Sequence, residues 1–529
     1  MFKTNTKHTQ SNIFGFTNIV SPKMAQALQE SEEQKFYELI FCNIKEEDFA
    51  CLYSEIDSRP NVPVNCMVSA ILLQHRQRLT YEKLFDNIKF NLLTKTALGL
   101  QTLDEIPFSE ASLFNFQNKL NSYFIETGTN LLEKVFDHLT GQQIKELKIK
   151  TDIQRTDSFQ AASNIRRYSR LQLLVEMLLR IYRVLSEDDK KQYAELFSPY
   201  VKKTSGQFIY RLDAEDVPSA LEQVGTVYKE INDKLKPNYA EVDIFKTFER
   251  VYLEHFIPPC GEEKIIIKTS EELTSGCLQS PDDLDAAYRK KNNKQFYGQA
   301  VNIAETCNPV NPINLLTDVA VHANNIDDTK GLNERIDPIK EKTPELNELH
   351  TDGGYGSEDN DVKFEEHTIT QVQTAIRGRE NSGVELTISQ VNEDHYSVSC
   401  PNQTVEAAAT EKRFKAEFDL RICSSCSLAS VCQLQKKKTA KVYYFTKEEY
   451  LKKKRLGSIQ KIPKERRSLR TNVEATVSEF TRKMNNRKLK VRGYFKATIF
   501  AFAVGISVNF GRIFRYLKAQ ELERAIAAT

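Results

Sequence analysis

Thr351 to Asn360 reads TDGGYGSEDN, and few ten-residue stretches restrict a fold as strongly. Three glycines in so short a window argue against a buried apolar element. They let the backbone take positive φ and approach whatever Asp352 holds. Downstream, KFEEHTITQVQTAIRGRE reads as a short helix and then a strand over 369–376. Asp352 then ends one strand at a sharp turn into a helix. In such an α/β arrangement, ligand-facing carboxylates are common. A solvated Asp-Gly turn leaves the same trace, so Asp352 needs partners before it means more.

The 529 residues allow about two to four domains, and 40% hydrophobic with 28% charged residues is a globular balance. A net charge of +2 hides an asymmetry: Lys436 to Arg492 holds 20 Lys/Arg against 5 Asp/Glu, and the remainder is acidic. A basic block of that size points to a polyanion such as nucleic acid, although a solvated charged face has the same composition. The N-terminal residues lack the apolar core of a secretory signal. The longest apolar run, Ala497 to Phe510, is shorter than the roughly 20 residues of a membrane span and is expected as a buried helix. Ten cysteines in such a chain imply a cytoplasmic protein with reduced thiols, any cluster serving metal rather than disulfides.

In chain order, residues 1–32 are polar and aperiodic, an expected mobile arm. Residues 33–145 carry helical periodicity. CMVSAILLQHRQRL follows Pro63, TYEKLFDNIKF follows a plausible Thr80 cap, and further helices lie over 109–139. The basic edge at Gln74 to Arg78 suits DNA binding, while packing or dimerisation explains the helices equally well. From Leu147 the apolar residues alternate, the period of a half-buried strand, with Asp157 at its end and Asp152 on the opposite face. Helical pattern returns over 165–275 as an insertion. A strand follows over 296–304 behind a basic turn at 290–294, and helices are expected at 313–319 and 327–340. Cys423 and Cys426 form a CxxC, with Cys432 after it and Cys400 before it. Together they suit one tetrahedral zinc, or else are free buried thiols. Near the end, Val473, Val477, Phe480 and Met484 form a helical core stripe, with Arg467, Arg470, Glu474 and Arg482 on a shared face.

These stretches together resemble the DDE transposases of bacterial insertion sequences, in the group with an N-terminal helical domain and a Cys-rich insert before the final glutamate. The matching segments are EIDSRPNVPVNCMVSAILLQ, RTDSFQAASNI, LQSPDDLDAAYRKK with GQAVNIAET, HTDGGYGSEDN, the cysteine cluster and LRTNVEATVSEF. They recur in family order over most of residues 44–515. The terminal signature departs from the family where a tyrosine often precedes the arginine, so only Arg470 to Glu474 matches cleanly.

The resemblance implies a mixed α/β fold. A ribonuclease H-like catalytic core spans 146–515, with the helical insertion at 165–275 and a zinc-type insert at 395–440. An all-α domain at 33–145 precedes it and a tail at 516–529 follows. Asp157, Asp352 and Glu474 would be the catalytic triad, holding two Mg²⁺ or Mn²⁺ ions about 3.5–4 Å apart. Asp152 competes for the first place. One ion would activate water or a DNA 3′-hydroxyl, and the other would stabilise the leaving oxygen. Cys400, Cys423, Cys426 and Cys432 would hold structural Zn²⁺. Arg467, Arg470, Arg482 and Lys483 would contact DNA phosphates. The expected partners are double-stranded DNA (terminal inverted repeats and target) and further copies of the chain, with no membrane, at the bacterial nucleoid. A catalytically inactive DNA-binding descendant is the alternative.

Overall fold

The computed structural model describes residues 1–527 apart from 11, 57–59, 259–263, 292, 374–383 and 393–394. Its first part is helical: α1 (Val64–Gln77), α2 (Tyr81–Phe90), α3 (Glu110–Thr127) and α4 (Leu131–Glu146). α1 is buried from Val64 to Gln74, a stretch that is apolar but for Asn65, Ser69 and Gln74. Its first amides donate to the buried Glu46 carboxylate, Val64 N at 3.0 Å and Asn65 N at 3.3 Å. That carboxylate does the work of a Ser or Asp cap. Thr80 caps α2 as expected, accepting from Lys83 N. The first 32 residues are more structured than a mobile arm. They include a helix over Pro22–Gln29 capped by Ser21, bury Phe16 and Leu28, and tie Asn5 N to Glu46.

The main sheet holds β1 (Ile153–Ala162), β2 (Ala287–Lys291), β3 (Lys294–Thr306), β4 (Leu316–Ala323), β5 (Glu348–Thr351) and β6 (Thr370–Gln373). β3 runs antiparallel to β1 on one side and to β2 and β4 on the other. β5 is parallel to β1, and β6 is parallel to β5. Gly298 marks where the outer partner of β3 changes from β2 to β4. Its φ is +144°, and a Cβ there would lie 2.5 Å from the Ala161 carbonyl oxygen. Only glycine lets the strands approach so closely.

Helices fill the connections. Between β1 and β2 stand α5 (Arg170–Val184), α6 (Val217–Tyr239) and α7 (Asp243–His255), the expected insertion, built round its own core of Leu174, Leu178, Tyr228, Phe248 and Phe256. α8 (Asp328–Lys342) joins β4 to β5, and α9 (Glu358–Glu366) joins β5 to β6. The helix expected at 313–319 is instead the start of β4. Val319 and Val321 are buried where β4 pairs with β3, and that tertiary pairing overrides a weak local helical pattern. The strand expected from Leu147 begins only at Ile153. The expected strand over 369–376 is seen as β6, its last three residues lying outside the described ones.

A second, antiparallel sheet follows: β7 (Thr387–Asn392), β8 (His395–Cys400), β9 (Gln403–Ala409), β10 (Phe414–Asp419), β11 (Gln435–Lys436) and β12 (Ala440–Phe445). It is wider than the insert expected at 395–440. α10 (Lys447–Lys461), α11 (Val473–Thr481) and α12 (Tyr494–Ala527) complete the chain. α12 runs unbroken through the boundary at which a tail was expected after 515. By length and composition it could cross a membrane, but its apolar stretch is 89% buried inside the protein. It packs against α1, α4 and β4, the place of a core helix. Its first amides are held from far away, Gly493 N by Asp283 and Tyr494 N by Asp285, each at 2.9 Å. The SPDDLD segment is therefore a remote helix cap.

Candidate active site

Parallel pairing of β1 and β5 sets Ile153 opposite Glu348 and Arg155 opposite His350. Two residues further along each path come Asp157 and Asp352, on the face that Arg155 and His350 share. Asp157 was expected at the end of its strand. It lies in mid-β1, and what ends beside it is the pairing with β5. Asp152 precedes β1, where Asn308 Nδ2 donates to its carboxylate at 2.8 Å, away from this row. The glycines after Asp352 do not take positive φ, which among described glycines is confined to 99, 128, 298 and 493. They form a 3-10 turn, Gly353–Tyr355, whose first amide donates to Asp352 Oδ1 at 2.6 Å. The Arg455 guanidinium lies against Gly356.

The two aspartates share one cation. Arg470, in the turn Ser468–Asn472 that leads into α11, places Nη2 2.9 Å from Asp157 Oδ2 and 4.0 Å from Asp352 Oδ2. Burial pushes the Asp157 carboxyl up, against the pull of Arg470 and of the Ser158 amide. Arg470 was expected on DNA phosphate, and here it is an ion-pair partner of the acids themselves. Glu474 stands four residues after Arg470, in the first turn of α11, and is exposed. It forms no ion pair with another described residue. Beside this row, Arg466 grips Glu348 and His350 Nε2 lies 2.7 Å from the same carboxylate. Burial works against the Glu348 charge, yet these two partners outweigh it and hold its pKa low.

α11 is fixed to the sheet by a buried polar network. Glu305 of β3 is fully buried and accepts from Arg155 Nε at 2.7 Å, Thr476 Oγ1 at 2.8 Å and Arg512 Nη1 at 2.6 Å. Arg512 also reaches Thr476 Oγ1 at 2.6 Å and Glu479 at 2.7 Å, and Arg155 Nη1 donates to the Leu469 carbonyl at 2.6 Å. Val473, Phe480 and Met484 of the expected stripe are buried, Phe480 lying on Phe159 of β1.

The other expected phosphate contacts divide. The Arg467 side chain lies outside the described residues. Arg482 is exposed and lines a cavity of about 470 Å³ with Arg155, Arg512 and Arg515. Lys483 is spent elsewhere: its ammonium donates to the Arg76 carbonyl at 2.6 Å, half-buried at the C-terminus of α1, and burial lowers its pKa. Near Lys483, the Lys490 ammonium donates to the Arg78 carbonyl.

Cys400, Cys423, Cys426 and Cys432 line one cavity of about 20 Å³. Burial pushes the Cys423 thiol up against the pull of Lys441, and the other three sulfurs add to the rise. Asn402 donates to Cys426 Sγ at 2.9 Å and Gln403 to Cys423 Sγ at 3.3 Å. In this conformation, no group of three or more His, Cys, Asp or Glu among the described residues is gathered closely enough to hold a metal ion.

The transposase DDE domain family matches residues 393–514, and a second transposase domain family matches residues 25–119. Both matches are to transposase families, and they support a DDE transposase of an insertion sequence. No curated protein and no solved structure matches it. The two matched stretches take in α1, α2 and the first half of α3, the second sheet from β8 onward, Glu474 and most of α12. Asp157 and Asp352 stand outside both. Sequence reasoning missed what ties α11 to the main sheet beside the two aspartates, namely Arg155, Glu305, Thr476 and Arg512. The available signal was Arg155, a charge two residues before Asp157 on a strand otherwise apolar or small on that face.

Proposed function

We propose that this transposase cuts the ends of its element and joins them to target DNA, with Asp157, Asp352 and Glu474 as its acidic set on a ribonuclease H-like core. One observation carries the reading: the Arg470 guanidinium, in the turn that runs directly into the helix of Glu474, bonds Asp157 and lies 4.0 Å from Asp352. Two carboxylates already sharing one cation form a site for positive charge, and their hard oxygens suit Mg²⁺ or Mn²⁺. Asp157, Asp352 and Glu474 would hold two such ions, which when bound supply Lewis-acid chemistry for phosphodiester cleavage and strand transfer. The order of the main sheet, with antiparallel strands on one side of β1 and parallel ones on the other, supports the core assignment. Arg482 would meet a backbone phosphate, a contact that sets position and salt dependence rather than sequence choice. Oligomers assembled on paired DNA ends belong to the same reading.

The test uses DNA carrying the inverted repeats that flank the gene, with Mg²⁺ present. Asp157→Asn, Asp352→Asn and Glu474→Gln are each expected to abolish strand cleavage while still shifting the DNA in a gel. A variant that cuts at the wild-type rate removes its residue from the set. An unaltered protein that binds the repeats and never nicks them is instead the inactive descendant.

The four cysteines are proposed to hold zinc. N–H donors aimed at sulfur favour the thiolate, the form that binds metal, and all four cysteines line one small cavity. Purified wild-type protein is expected to carry one zinc per chain and Cys423→Ser none, by metal analysis. Equal zinc in both would refute the site.

A further inference from the structure

Glu305 is a carboxylate with no exposure to solvent, a costly group unless each oxygen is satisfied. Its partners come from three elements, and two of them bracket the segment between Arg470 and Glu474. Arg155 holds the Leu469 carbonyl, one residue before Arg470. Thr476, two residues after Glu474, gives its hydroxyl proton to Glu305 and accepts from Arg512. One hydroxyl thus serves as donor on one side and acceptor on the other. Valine has the same shape and can do neither.

Arg155 lies on the strand and face of Asp157, so the network is tied to that aspartate through two residues of rigid β1. A helix turns about 100° per residue, so a rotation of α11 about its axis would change where Glu474 points relative to Asp157 and Asp352. The apolar contacts of Val473 and Phe480 resist such rotation only softly. A directed hydroxyl between two charges does so sharply.

We propose that Thr476, with Glu305, Arg155 and Arg512, is a positioning device that sets the rotation of α11 and so delivers Glu474 to the metal site of Asp157 and Asp352. The inference rests on the metal-site reading above. It concerns residues that contact neither DNA nor metal.

The experiment measures Mn²⁺ binding to the full-length protein by calorimetry, beside a thermal melt, for wild type, Thr476→Val, Thr476→Ser and Asp157→Asn. Thr476→Val is expected to fold and to weaken Mn²⁺ binding about tenfold, the usual scale for a residue supporting a ligand from behind. Thr476→Ser should restore binding to within about twofold of wild type, since it restores the hydroxyl. Unchanged Mn²⁺ affinity in Thr476→Val, or failure of serine to rescue it, overturns the proposal. Should Thr476→Val not fold, Thr476→Ala removes the same hydroxyl without the added methyl group. If neither folds, the role is structural and the proposal fails. Asp157→Asn separates the two readings. If it binds Mn²⁺ like wild type, the metal site itself is wrong. If it loses binding while Thr476→Val keeps it, only the positioning role is lost.

Discussion

Removing the Arg470 side chain leaves Asp157 and Asp352 facing one another with no shared cation. Breaking a fully buried pair costs about 3–5 kcal/mol, and the partial exposure of Asp352 brings the expectation for Arg470→Ala to about 2 kcal/mol at neutral pH. Divalent ions supply the missing charge, so 10 mM Mg²⁺ or so should recover much of the loss, by linkage. The pH sign follows from Asp157, whose carboxyl is already pushed up by burial and loses the Arg470 pull in the variant. A raised folded pKa means the folded state holds its proton longer, so the deficit should shrink as pH falls. Melting curves at pH 8 and pH 5, with and without Mg²⁺, check both claims. The two aspartates that Arg470 pairs with stand out in sequence because each sits in small polar residues that no core element would choose. Glu305 could not. A buried glutamate in GQAVNIAET acquires meaning only when Arg155, Thr476 and Arg512, up to 207 positions away, close on it.

Among the elements, the helical insertion carries its own pH sensitivity. His255 ends α7 with both ring nitrogens buried and without hydrogen-bond partners. Burial, with Arg170 and Lys268 nearby, lowers its pKa to about 4. The folded state therefore refuses a proton that the unfolded chain accepts near pH 6.5. Stability falls as pH drops through that window, by about 2 kcal/mol at pH 5. His255→Phe should flatten the dependence of the melting temperature between pH 7 and pH 5; an equally acid-sensitive variant would place the effect elsewhere. Elements with continuous periodicity, such as α1, α2 and α11, were legible in outline. Residues 313–319 were not, because isolated local pattern cannot report that β3 is waiting to pair with that segment. The α12 cap was similarly hidden, since its acids lie 210 and 209 residues from the amides they hold.

At the scale of the molecule, family order conveyed the succession of helices, sheet, insertion, cysteine sheet and final acid. What it could not convey is how far the parts depend on one another. α12 joins the N-terminal helices to the main sheet, filling the space between α1, α4 and β4. Every element it touches is synthesised before it. During translation the N-terminal helices and the main sheet are therefore complete before the helix that packs between them. Contacts this distant in sequence also form slowly once they can form. A chain that stops short of residue 494 lacks the helix that fills the interior between α1, α4 and β4, and is expected not to fold stably.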